Sequence, residues 1–77
     1  MATATPFKPY IAHVGNTGGH GVYLRASPHL DDRVTAWSDD SPLLVLGPQA
    51  DGDSQHWLEV RDPADEVGWI PAQFVVR

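Results

Sequence analysis

The sequence predicts a small all-β domain, and three observations predict it. Seven prolines and seven glycines interrupt the 77 residues too often for a long helix. Between them lie short runs rich in β-branched and aromatic residues, the composition that suits a pleated, half-buried strand. These runs recur with turn residues between them, as in a sandwich or barrel, and so short a chain favours a small, partly open barrel.

The first run is Tyr10 to Val14. Residues 1–9, small, polar and proline-interrupted, read as a linker or an expression remnant, which leaves 10–77 as the domain. Gly15 to Gly21 reads as a mobile loop before the strand Val22-Tyr23-Leu24-Arg25. A second irregular stretch, Ala26 to Asp32, contains Ser27-Pro28 and the acidic pair Asp31-Asp32. Arg33 to Trp37 alternates polar and apolar, as a strand with one face in the core does.

Ser38 to Pro42 is turn chemistry: short side chains that bond their own backbone, then a proline that fixes φ. Leu43 to Leu46 is apolar throughout and reads as a central strand, while Pro48 to Gln55 reads as a polar loop. His56 to Arg61 alternates, with Trp57, Glu59 and Arg61 on one face and His56, Leu58 and Val60 on the other. Asp62 to Glu66 makes a hairpin tip, and Gly68-Trp69-Ile70 returns as its partner strand. Pro71 to Phe74 suits one 3₁₀ turn, and Val75-Val76 is the last strand.

Composition narrows the functional classes. One domain of this size buries only about 60% of the surface of its unfolded chain. With no cysteine, neither a disulfide nor a thiolate metal site reinforces it, and the compartment stays undetermined. Trp37, Trp57 and Trp69 must therefore supply much of the burial. The net charge of −5 and five scattered basic residues argue against nucleic acid and against an anionic membrane surface. A cationic or neutral partner is electrostatically easier, although net negative charge also serves solubility alone. No apolar run is long enough for direct membrane insertion.

From Gly21 to Val76 the chain resembles the bacterial SH3-like domain family. The resemblance rests on Val22-Tyr23-Leu24-Arg25-Ala26-Ser27-Pro28, on Trp57-Leu58-Glu59-Val60, and on Gly68-Trp69-Ile70 followed by a turn and Phe74-Val75. It implies an SH3-like barrel of five to six short antiparallel strands with a single 3₁₀ turn before the last one. The ending Gly68 to Val75 is also similar to that of the eukaryotic peptide-binding SH3 domains. There the matching positions, Trp57, Trp69, Pro71 and Phe74, line a shallow groove for proline-rich ligands. The chain departs from that family in its first strand, Tyr10 to Val14, and in Phe74, which lacks a tyrosine hydroxyl.

The resemblance implies a non-catalytic binding or targeting module for a peptide or protein ligand, a peptidoglycan peptide among the candidates. Its setting would be a larger parent chain of the bacterial envelope or a secreted protein. A structural accessory domain that packs on its parent is the other expectation. Trp37 reads as core, whereas Trp57 and Trp69 read equally as core or as groove. Asp31 and Asp32 either flank the groove and attract a cationic ligand or are solvated loop carboxylates.

Chemistry beyond binding finds little support. Asp51-Gly52-Asp53 lacks the remaining spacing of a calcium loop. His13, His20, His29 and His56 lack the mutual spacing of a zinc site, and no other cofactor is implied. There is neither a cysteine nucleophile nor a Gly-x-Ser-x-Gly elbow, so no catalytic residue is expected.

Overall fold

A computed structural model describes residues 8–77, so most of the expected linker, 1–9, lies outside the described residues. The chain forms seven strands: β1 (Tyr10–Val14), β2 (Val22–Arg25), β3 (Arg33–Trp37), β4 (Pro42–Gly52), β5 (Gln55–Arg61), β6 (Val67–Pro71) and β7 (Val75–Val76). One 3₁₀ turn, Ala72–Phe74, stands before the last strand. All pairings are antiparallel, and the strand order is β3-β2-β6-β5-β4-β1-β7. β3 and β7 end the order without pairing to each other, so the sheet is open.

The largest departure from the sequence expectation is β4. It continues as a strand through Pro48 and on to Gly52, where a polar loop is expected. Val45 pairs with Val60 and Gln49 with Leu58, so Leu46, Gly47 and Pro48 together oppose the single residue Glu59. This bulge accommodates both breakers: Gly47 takes φ +119, and the proline needs no ladder bond. A bulge bends its strand, so the first half of β4 pairs with both β1 and β5, and the second half with β5 alone. The hairpin closes at Asp53 and Ser54, both at positive φ, the backbone signature of a two-residue type I′ turn.

Strand alternation turns one set of side chains inward. Ala12, Val14, Val22, Leu24, Leu43, Val45, Val60 and Ile70 form the buried cluster. Trp37 and Phe74 pack against its margin. Val34 is 49% exposed and Ala36 is exposed, so β3 contributes Trp37 to the core's margin but not its other apolar residues. The expected mobile loop is tied down: Thr17 Oγ1 hydrogen-bonds Asp39 and accepts from the Gly21 amide at 2.9 Å.

The β5–β6 hairpin tip is built on one buried acid. Asp62 Oδ1 accepts from the amides of Ala64 (2.9 Å) and Glu66 (2.8 Å), and Oδ2 accepts from Trp37 Nε1 (3.0 Å). The tip is thereby joined to the end of β3. Two residues into β6, the backbone of β2 passes so close to Gly68 that no side chain fits. A β-carbon there would lie 2.6 Å from the Arg25 carbonyl oxygen and 2.7 Å from Leu24 Cγ. Gly68→Ala is expected to lose about 1–3 kcal/mol, the range for overpacking a core. A urea midpoint equal to that of the parent would disprove it.

Candidate functional site

The face opposite the core is where unusual chemistry gathers. Cα partners across an antiparallel ladder point the same way, as do residues two apart along a strand. Arg33 pairs with Arg25, Arg25 with Trp69, and Trp69 with Glu59, so one row crosses β3, β2, β6 and β5. Trp57 pairs with Pro71 in the next row, and Tyr23 lies two residues before Arg25 on β2. Tyr23, Arg25, Trp57, Trp69 and Pro71 thus share the outer face of the sheet.

Trp57 is fully buried, yet it lies outside the main apolar cluster. Its indole Nε1 donates to the Gly52 carbonyl at 2.8 Å, at the end of β4. The Arg25 guanidinium lies over its ring, 5.3 Å from the centroid. The loop between β2 and β3 then folds against the β4–β5 tip. The Pro28 carbonyl sits where a Gly52 side chain would be, and the Leu30 amide donates to Asp53 Oδ2 at 2.7 Å. His29 Nδ1 approaches the same carboxylate at 3.8 Å. The loop holds its own shape through Ser27 Oγ donating to Asp32 Oδ2 (2.7 Å) and the Ala26 amide donating to the Asp32 carbonyl (2.9 Å).

Arg25 is 7% exposed. Its Nη1 donates to the Tyr23 carbonyl at 3.0 Å, and its Nε is buried with no partner. Burial, then the like charge of Arg33, lowers its pKa from the ordinary arginine value, while Tyr23 acts the other way. The Arg33 guanidinium carbon lies over the same Tyr23 ring from β3, 5.0 Å from its centroid, with that of Arg25 at 5.9 Å. Sequence reading missed this cluster. The available signal was alternation, which puts Tyr23 and Arg25 on one face, but the pairing of Arg25 with Arg33 is a tertiary fact.

The expected groove residues are only partly assembled. Trp57, Pro71 and Trp69 do stand side by side, but Trp57 and Pro71 are buried and offer no ligand surface. The reason for Trp57 is its cover of Arg25 and the Gly52 carbonyl. Trp69 is half-buried on the outer face. Phe74 packs against the margin of the core. Asp31 and Asp32 are exposed on the β2–β3 loop, with the Asp32 carboxylate engaged by Ser27.

A second polar group surrounds the β4–β5 hairpin. His56 Nδ1 meets Asp51 Oδ1 at 2.9 Å, and Nε2 meets Gln49 Oε1 at 2.7 Å. Both ring nitrogens are engaged along the hairpin, so neither is directed at Ser54. A shallow depression of about 210 Å³ beside it is lined by Ser54, Gln55, His56, Ala72 and Gln73, without a tryptophan, tyrosine or phenylalanine. Among the described residues no group of three or more acidic or histidine side chains is placed to hold a metal ion. Comparison with protein-family models, curated proteins and solved structures gives no match to this chain.

Proposed function

We propose that this chain is a non-catalytic binding module with an SH3-like barrel, which takes a peptide-like ligand on its outer face. The observation that supports this most is the grouping of Tyr23, 43% exposed, with half-buried Trp69 and two arginines on one face. Aromatic rings on a rigid sheet suit extended peptides, since neither partner loses much conformational freedom on docking. Strand order is in keeping with the barrel reading: the bulged β4 pairs with both β1 and β5, and the 3₁₀ turn leads the chain into β7 beside β1. The ligand surface proposed is Trp69 with Tyr23. Trp57 and Pro71 lie buried beside it on the same face. A parent protein of the bacterial envelope or a secreted one belongs to the same reading.

The test is a ¹⁵N-NMR titration with a peptidoglycan stem peptide and with a proline-rich peptide. The expected result is a shift of the Trp69 indole N–H and of the Tyr23 amide at millimolar peptide. If neither peptide moves these signals, the free-peptide reading fails. A structural accessory role then gains, favoured by Ile11, 70% exposed, and Val67, 50% exposed, which would be covered in a larger assembly. Sedimentation of the domain would report self-association directly.

A further inference from the structure

We propose that Arg25 and Arg33, held against Tyr23, form a carboxylate-binding site at the edge of the outer face. The ligand would thus present a carboxylate there, from a peptide C-terminus or from an acidic side chain. This deepens the reading above and rests on its placing of the ligand on the outer face.

The argument begins with a charge that lacks an opposite. A buried guanidinium is normally paired, because taking it out of water without an anion is costly. This chain has ten carboxylates, yet among the described residues none forms an ion pair with Arg25 or Arg33. Glu59, in the same row, stands on the far side of Trp69. Glu66 is taken by Thr35 Oγ1 (2.9 Å), and Asp32 by Ser27. Arg25 and Arg33 are also direct cross-strand partners, an arrangement in which like charges repel. Positions that break a local rule without internal compensation are where function is expected.

The geometry fits the missing group. Both guanidinium carbons lie over aromatic rings, Arg25 over Tyr23 and Trp57 and Arg33 over Tyr23, and a guanidinium carries its N–H donors along the edge of its plane. A carboxylate matches such an edge with two parallel hydrogen bonds, and two arginines on one ring bracket it. Arg25 uses one named acceptor, the Tyr23 carbonyl, and its buried Nε has none. The chain's net negative charge acts over longer range and is screened by salt, whereas these contacts are local.

Three probes test the site in a ¹H–¹⁵N titration that follows the arginine Nε–H and Trp69 indole signals. They are N-acetyl-dialanine with a free carboxylate, the same peptide as its C-terminal amide, and an amidated peptide with one internal glutamate. The expected result is that a carboxylate probe shifts the Arg25 and Arg33 signals and the plain amide does not. Which of the two carboxylate probes acts tells a chain terminus from an acidic side chain. Arg33→Gln, at an exposed position, is expected to remain folded and to weaken that binding about tenfold. Equal shifts with the plain amide, or unchanged affinity in R33Q, overturn the site. If the Trp69 signal moves and the arginine signals do not, the site falls while the outer-face reading stands. If no signal moves with any probe, the site falls, and the stem and proline-rich peptides alone decide the outer-face reading.

Discussion

Replacing Trp57 by alanine is expected to leave the domain largely unfolded at room temperature. The side chain is completely enclosed, and truncating such an aromatic removes about 3–5 kcal/mol. The substitution also takes the donor from the Gly52 carbonyl, a further loss of about 1 kcal/mol. A domain of this size holds about 4–12 kcal/mol in all, and without cysteine it has no covalent reserve. Far-UV circular dichroism and urea titration decide the matter. A cooperative transition within about 1 kcal/mol of the parent would show that Trp57 is not structural. Trp57→Phe retains a ring beneath Arg25 but loses the bond to Gly52. It is expected to fold, with a loss of about 1–3 kcal/mol.

Asp62→Ala carries the second largest expected effect. The carboxylate is buried and accepts three hydrogen bonds, two from the amides of its own hairpin tip and one from Trp37 Nε1. Alanine leaves those donors without an acceptor, for an expected loss of about 2–4 kcal/mol. The loss has a spatial signature, since the same residue ties the tip to the end of β3. Hydrogen exchange at Ala64 and Glu66 should accelerate, and the Trp37 indole N–H should lose protection. Asp62→Asn offers only one accepting oxygen and is expected to fall between parent and alanine. A variant with parental stability and unchanged Trp37 protection would overturn the account.

These two residues mark what a sequence conveys and what it does not. The all-β character, the 3₁₀ turn and six of the seven strand positions follow from local pattern, because alternation and turn chemistry are written within a few residues. β4 escapes because its second half, from Gly47 to Gly52, is made of residues that locally prefer a loop. Pairing with β5 holds them extended. Trp57 reads equally as core or groove because alternation assigns a face, and nothing local says whether that face is covered. Arg25, about thirty residues earlier in the sequence, lies over the Trp57 ring, and the Gly52 carbonyl accepts its indole N–H. Asp62 looks like one more turn acid until its three donors are seen. The Arg25–Arg33 pair depends on a register shift between Leu24 and Arg25, which no periodicity announces.

The pairing of β1 with β7 sets the pace at which this domain can form. His13 meets Val76 and Val14 meets Val75, so strands about sixty residues apart complete the sheet order at one end. Contacts so distant must close a long loop before they contribute stability, which places folding in the slower, millisecond-to-second range of small domains. A ribosome makes β1 early and must keep it without its last neighbour until Val76 has emerged. During that interval β1, with its exposed Ile11, is an unsatisfied edge able to pair with another nascent chain. Rapid synthesis and a low local concentration of chains would therefore favour the native product over aggregates.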